Sequence, residues 1–251
     1  MSFDLTGQTV LVTGAGRGLG RSVAQTLAGY GAAVGVLDLD RATCEATAEE
    51  IRRAGGAAFA FGADVTDRAQ FARAAGQLAA ERGRIDAVVN NAMLLKYEPI
   101  EQVTEGVLDR MLAIGIKGSV WGAQLLLAHM DPARGGALIN MASPVAERGY
   151  PNTAIYSLVK AAIVSLTRTL AAELGPRQVR VNAVAPGSIP TPGAVALNDP
   201  KEYERRARTI PLRRLGREDD NAQAVAYLLS PAASFVNGEI LHVDGGIAAA
   251  G

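Results

Sequence analysis

Between Thr13 and Gly20 the chain reads TGAGRGLG, and this octet limits the folds open to the whole sequence. It follows the short apolar run Thr9-Val10-Leu11-Val12 and leads into Arg21-Ser22-Val23-Ala24-Gln25-Thr26-Leu27, which has helical spacing. A strand, a glycine turn and a helix in that order let the backbone approach a pyrophosphate. The phosphate charge is then met by the unpaired amides of a helix N-terminus. The glycines are Gly14, Gly18 and Gly20, a G-x-x-x-G-x-G spacing rather than the commoner G-x-G-x-x-G. A second apolar run, Ala33-Val34-Gly35-Val36-Leu37, ends in Asp38, eighteen residues after Gly20. An acid there accepts both hydroxyls of an adenosine ribose and repels a 2′-phosphate, which favours NAD over NADP. Arg17 inside the turn pulls toward a 2′-phosphate, but Asp38 is the better placed of the two.

Short apolar runs alternate with longer helical ones along the rest of the chain. Strands are expected near 8–13, 33–38, 57–61, 85–90, 136–141, 178–184 and 240–243, and helices near 18–29, 41–54, 68–82, 107–130, 153–174 and 219–229. That pattern predicts a single α/β domain over residues 1–251, a doubly wound Rossmann-like parallel sheet of about seven strands with helices on both faces. With 251 residues, 49% of them apolar, the chain can bury one large core. Ligands of such sheets bind beyond the carboxyl ends of the strands. Gly14, Asp38, Asp64, Asn91, Ser143 and Pro186 all fall at or just past those ends.

The remaining composition narrows the partners. Basic and acidic residues balance at 25 each, which argues against nucleic acid or an anionic membrane surface. Cys44 is the only cysteine, excluding an internal disulfide, and is expected to be buried and inert. His129 and His242 are the only histidines and have no cysteine nearby, so no metal site is expected. The start lacks a basic-then-apolar secretory pattern, and no uninterrupted apolar stretch reaches the ~18 residues of a membrane span. The expectation is a cytoplasmic protein.

Tyr156 and Lys160 are four apart, and Ser143 precedes the tyrosine by thirteen residues. On a helix, residues four apart share a face, so an ammonium stands beside a phenol. Bringing a phenol from about 10 to about 7 takes roughly 4 kcal/mol. Lys160 and a cationic nicotinamide together are expected to supply it, making Tyr156 a general base for an alcohol. Ser143 is the hydroxyl that holds the substrate oxygen.

Taken together, these motifs resemble the short-chain dehydrogenase/reductase family over essentially the whole chain. Further matches are Asp64-Val65, where the family contacts adenine, and Asn90-Asn91-Ala92, where it reads NNAG. Asn182 lies in VRVNAVAPG, residues 186–191 match the family's PGxxxT turn by the nicotinamide, and Val243-Asp244-Gly245-Gly246 is a typical ending. The resemblance implies an NAD(H)-dependent oxidoreductase that interconverts a secondary alcohol and a ketone on a small molecule. Ser143, Tyr156 and Lys160 would be catalytic, with Lys160 also on the nicotinamide ribose. Cofactor contacts would come from Gly14, Arg17, Gly18, Leu19, Gly20, Asp38, Asp64, Val65, Asn91, Ala92, Tyr156, Lys160, Pro186, Gly187, Ile189 and Thr191. A homotetramer is implied, built through a four-helix contact and a second interface at the C-terminal strand. The alternatives are a non-catalytic dinucleotide-binding regulator of the same fold, an NADPH-dependent reductase, and an enzyme of this fold doing epimerisation, dehydration or imine reduction.

Two positions depart from the family. Met93 replaces the glycine of NNAG, and Gly115 stands where the family has an asparagine that kinks its helix and holds a proton-relaying water. Glycine permits the kink but holds no water through a side chain. Restoring the asparagine is therefore expected to raise turnover in the ketone-reducing direction. The substrate pocket is expected from Met93 to Tyr97, from Pro144 to Asn152, and from a lid over 188–210, with Leu94, Leu95, Val145 and Tyr150 making it partly apolar. Lys96, Arg148 and Arg205 are candidates to meet a carboxylate or phosphate, with solvated charge as the favoured reading. The lid run 201–208 is expected to be a solvated helix face.

Overall fold

Runs of valine, alanine and leucine too short for helices become seven strands in the computed structural model, which describes residues 3–195 and 200–250. The strands are β1 (Thr9–Thr13), β2 (Ala33–Asp38), β3 (Ala57–Gly62), β4 (Ala87–Asn90), β5 (Gly136–Met141), β6 (Val179–Pro186) and β7 (Ile240–Val243). The helices are α1 (Gly18–Gly29), α2 (Arg41–Arg53), α3 (Arg68–Arg82), α4 (Glu105–Leu112), α5 (Gly118–His129), α6 (Ala154–Leu174), α7 (Pro192–Val195), α8 (Pro200–Thr209) and α9 (Glu218–Leu229). All neighbours pair in parallel in the order β3-β2-β1-β4-β5-β6-β7, so the strand order reverses between β1 and β4. That reversal opens the crevice where such sheets bind ligands.

Burial on both faces explains the near-continuous apolar strands. Val10, Val12, Val34 and Val36 pack with Val23 and Leu27 of α1, Ala48 of α2 and Val225 of α9. Leu11, Leu37 and Val88 face the other way, onto Phe71 and Leu78 of α3, Leu126 of α5 and Leu174 of α6. Local signals set the helix ends. Asp40 and Asp67 cap α2 and α3 through their carboxylates, and Gly83 ends α3 in the left-handed region at φ +83°. Cys44 is buried with its thiol against the Phe61 carbonyl at 3.2 Å, and burial, then the nearby Asp38 charge, push it up to about 12. It is buried, as expected.

The sequence predicts one helix over 107–130, and the structure breaks it. A π-helical turn, Ala113–Lys117, joins α4 to α5 with Gly115 at its centre. Such turns carry one residue too many for the α repeat and free a carbonyl from its usual partner. Here the Ser119 hydroxyl donates to the Gly115 carbonyl at 2.7 Å. The lid holds two helices: α8 covers the run 201–208 expected as a helix face, α7 is one the expected set lacks, and residues 196–199 lie outside the described residues. Segments Glu105–His129 and Ala154–Arg177 are long and apolar enough for a membrane span by composition, yet both lie against the sheet with one side open.

Candidate active site

The glycine turn is built by close approach. A Cβ at Gly20 would lie 2.1 Å from the Gly14 carbonyl oxygen, and one at Gly14 would lie 2.9 Å from the Ala92 Cα. Both distances are shorter than any side chain tolerates, so the first turn of α1 and the end of β4 meet only because these residues are glycine. Thr13 and Asn91 lock that meeting. The Asn91 side chain donates to the carbonyls of Thr13 (2.9 Å) and Gly14 (3.0 Å), and the amides of Asn91 and Ala92 donate to the Thr13 hydroxyl. The Asn91 side-chain amide is thereby committed to the turn, and it shapes the floor of the cleft.

Above this floor the cleft fits a nicotinamide dinucleotide. Arg17 precedes α1 with no side-chain cap, which leaves the first amides of the helix available to an anion. Gly18 faces Thr191 and Pro192 across the opening, at 3.7 Å from an added Cβ, which brings the 186–191 turn over the glycine turn. Asp38 ends β2 with one carboxylate oxygen on the Gly16 amide (3.1 Å) and the other on the Leu39 amide (2.8 Å). Its acceptors are thereby fixed beside the turn, while Arg17 is exposed. Leu19 packs its side chain on the α1 side of the core. Gly187 pairs its amide with the Val243 carbonyl, and Ile189 is buried beneath the same turn.

Asp64 is held by a guanidinium and a threonine. One oxygen takes Arg110 at 2.9 Å, and the other takes both the amide and the hydroxyl of Thr66 at 2.8 Å. Burial alone would raise its pKa, but the Thr66 bonds and the guanidinium outweigh that and hold it below the usual carboxylate range. Asp64 is thus a fixed anion at the adenine end, tied to α4. Val65 beside it is buried against Gly118.

At the other end of the cleft stand the three residues expected to do chemistry. Ser143 follows β5, is buried, and lies beside Tyr156 of α6, whose pKa it lowers. Lys160, one turn on, is buried and donates to the Met141 carbonyl at 2.6 Å, with its ammonium 5.5 Å from the Tyr156 ring centre. The electrostatics of the cofactor-free site set what the expected positive charges would have to overcome. Burial pushes the Tyr156 phenol well above its ordinary 10.0, the Tyr97 phenol adds to this, and only Ser143 opposes it. Burial also drives Lys160 down from 10.5 to about 8. The lysine beside it does not by itself make Tyr156 a phenolate, because the same low-dielectric surroundings that bring the pair together disfavour both charges.

Gly115 and Met93 prove to be one feature. A Cβ at Gly115 would lie 2.3 Å from Val159 Cγ1 and 3.1 Å from the Met93 sulfur. Val159 directly precedes Lys160 on α6, so the space that an asparagine side chain would need is filled by Val159 and by Met93.

The pocket charges sort unevenly. Lys96 pairs with Glu98 at 2.8 Å, Arg148 reaches the Ile247 carbonyl and stacks over Tyr150, and Arg205 is exposed and paired with Glu202. The lid run is not solvated all round: Tyr203, Arg206, Ala207 and Ile210 turn inward from α8. Their i, i+3, i+4, i+7 spacing is the signal that composition alone concealed. Tyr97 packs edge-on to Tyr156, with ring centres 5.6 Å apart at 73°.

A family model described as enoyl-(acyl carrier protein) reductase matches residues 14–248. The 2-(S)-hydroxypropyl-CoM dehydrogenase 3 of Xanthobacter autotrophicus is 34% identical over 99% of this chain and 100% of its own length. The 7α-hydroxysteroid dehydrogenase of Escherichia coli is 34% identical over 98% of this chain and 96% of its own. A solved 7α-hydroxysteroid dehydrogenase with NADH and 7-oxo glycochenodeoxycholic acid superposes with a TM-score of 0.94 at 33% identity, covering 98% of this chain and 96% of that one. The 3-ketoacyl-(acyl-carrier-protein) reductase of Brucella melitensis, solved with NADH, gives 0.91 at 36% identity over 98% and 100%.

The packing at Gly115 reverses the expectation that an asparagine there would raise turnover. Gly115→Asn is expected to cost about 1–3 kcal/mol by overpacking and to lower turnover by displacing Val159 and, with it, Lys160. Adding Val159→Ala should return part of both. Chemical denaturation and steady-state rates of the single and double variants check this; a Gly115→Asn protein with unchanged stability and faster ketone reduction would contradict it.

Proposed function

The chain belongs to the short-chain dehydrogenase/reductase family, and we propose that it interconverts a secondary alcohol and a ketone on a small molecule with NAD(H). The observation that carries this reading is the placement of Ser143, Tyr156 and Lys160 at the same edge of the sheet as the glycine turn and Asp38. In the reducing direction the Tyr156 phenol gives its proton to the carbonyl oxygen. Burial keeps that phenol protonated, which is the form an acid needs. Ser143 holds the oxygen beside it by a hydrogen bond that strengthens as negative charge develops. When bound, the nicotinamide supplies or accepts the hydride and, in its oxidised form, carries a positive charge.

In the oxidising direction Tyr156 takes the alcohol proton. Lys160, with a pKa of about 8, stays largely protonated at neutral pH and contributes one of the positive charges that favour the phenolate. It would also hold the nicotinamide ribose. The carboxylate of Asp38, fixed by two amides beside the turn, supports NAD over NADP by accepting ribose hydroxyls and repelling a 2′-phosphate.

A homotetramer is part of the same proposal. Ala154, Leu158, Ala161 and Ser165 form an exposed row along α6, and Leu158 is 52% exposed. A row of small and apolar residues on a long helix suits close contact with its own two-fold copy. Sedimentation should give the mass of four chains, and a monomer at micromolar concentration would count against this.

Assayed against a panel of ketones, the wild type should use NADH in preference to NADPH. Tyr156→Phe should lower kcat about 10³-fold with NADH affinity kept within a few-fold, since only the hydroxyl is lost. Near-wild-type turnover in the variant would end the proposed mechanism, and a preference for NADPH would end the reading of Asp38.

A further inference from the structure

Glu218 opens α9 and stands beside the glycine turn. A Cβ at Gly18, the first residue of α1, would lie 3.8 Å from a Glu218 carboxylate oxygen and 3.7 Å from Thr191 and Pro192. Helix packing fixes this position. Ala222, Val225 and Ala226 of α9 share a core with Val23, Ala24 and Leu27 of α1, so the carboxylate is carried by a docked helix.

Nothing neutralises that carboxylate. Its neighbours on α9 are committed: Asp219 accepts from the Gln223 side chain at 3.2 Å, and Asp220 takes Arg214 at 2.7 Å and the Arg217 amide at 2.8 Å. Glu218 is half-buried, and its side chain makes no hydrogen bond or ion pair with any described residue. Arg21 is the cation that acts on it, and that guanidinium is paired with Glu50 at 2.5 Å. Burial pushes the Glu218 carboxyl up from its ordinary 4.5, while the Arg21 charge opposes the rise. The positive end of α9 also favours the ionised form. At neutral pH an unpaired negative charge therefore stands beside Gly18.

Gly18 begins the helix whose first amides are open to an anion, because Arg17 supplies no side-chain cap. An acid beside an anion site weakens binding there. A dinucleotide must leave at each turnover, and holding it more tightly in every state adds nothing to the chemical step. We propose that Glu218 shortens the residence of the cofactor: its carboxylate repels the pyrophosphate that the glycine turn and α1 attract, and so hastens release. The proposal rests on the dinucleotide reading of the cleft.

Glu218→Gln tests it by removing the charge and keeping the shape. Dissociation constants are measured for NADH, for ADP-ribose, and for adenosine, which lacks phosphate. NADH and ADP-ribose should both bind about fivefold more tightly than to the wild type, the effect of one charge at close range in a half-exposed site. Adenosine affinity should not change. Displacement of NADH by excess ADP-ribose, followed by stopped flow, should show dissociation slowed by about the same factor. Glu218→Ala should match the glutamine variant, and Glu218→Asp, which keeps the charge, should release NADH nearly as fast as the wild type. Added salt should narrow the gap between Glu218→Gln and wild type. Unchanged or weaker NADH binding in Glu218→Gln and Glu218→Ala would overturn the inference and leave the cofactor reading standing. An equal gain for adenosine, an unchanged dissociation rate, or an aspartate variant that matches the glutamine one would overturn it in the same way. A wild type that binds neither NADH nor NADPH would overturn the cofactor reading and this inference with it.

Discussion

A parallel sheet covered on both faces leaves its polar chemistry few places to go. Each strand interior must be apolar, and the asparagines that lie inside are hydrogen-bonded: the Asn90 amide donates to Asn140, and the Asn140 amide donates to Thr167. Polar side chains with ligand work to do are thereby pushed to the carboxyl ends of the strands. The reversal of strand order between β1 and β4 opens those ends into a cleft. The glycine turn, Asp38, Ser143 and the 186–191 turn line the cleft because they are the residues that follow the strands.

The same enclosure sets the electrostatics. Tyr156, half-buried, and Lys160, buried, are on one helix face, and desolvation acts on each against its charged form. On the proposed reading the resting site is poised as an acid, with a protonated phenol beside Ser143. Its use as a base depends on positive charge arriving with the oxidised cofactor. Gly115, Met93 and Val159 close the helix side of this region by packing.

Much of this was legible in the sequence because it is carried by local spacing. The order of strand, glycine turn and helix, Asp38 at the end of β2, and the four-residue step from Tyr156 to Lys160 each need only a few neighbouring residues to be read. What escaped depends on contacts between distant segments. Met93 and Gly115 read as separate departures until a side chain at 115 is seen to collide with Val159. Arg205 and Arg206 are adjacent and chemically identical, and only the docking of α8 decides which turns inward. Asn91 and Asp64 match motif positions, but their partners, the Thr13 and Gly14 carbonyls and the Arg110 guanidinium, commit them first to holding the site together. The desolvation that opposes a Tyr156 phenolate was not legible for a related reason: spacing reveals the neighbouring lysine and says nothing of burial.

The central claim is that Tyr156 rests as a neutral phenol and becomes a base only beside a cationic nicotinamide. Ultraviolet difference spectra of wild type against Tyr156→Phe, recorded across pH without and with NAD⁺, measure it directly. The account predicts no phenolate assignable to Tyr156 below its ordinary 10.0 in the free protein, and one that titrates at distinctly lower pH once NAD⁺ is bound. A Tyr156 phenolate at neutral pH in the free protein, or a titration that NAD⁺ does not move, would contradict it.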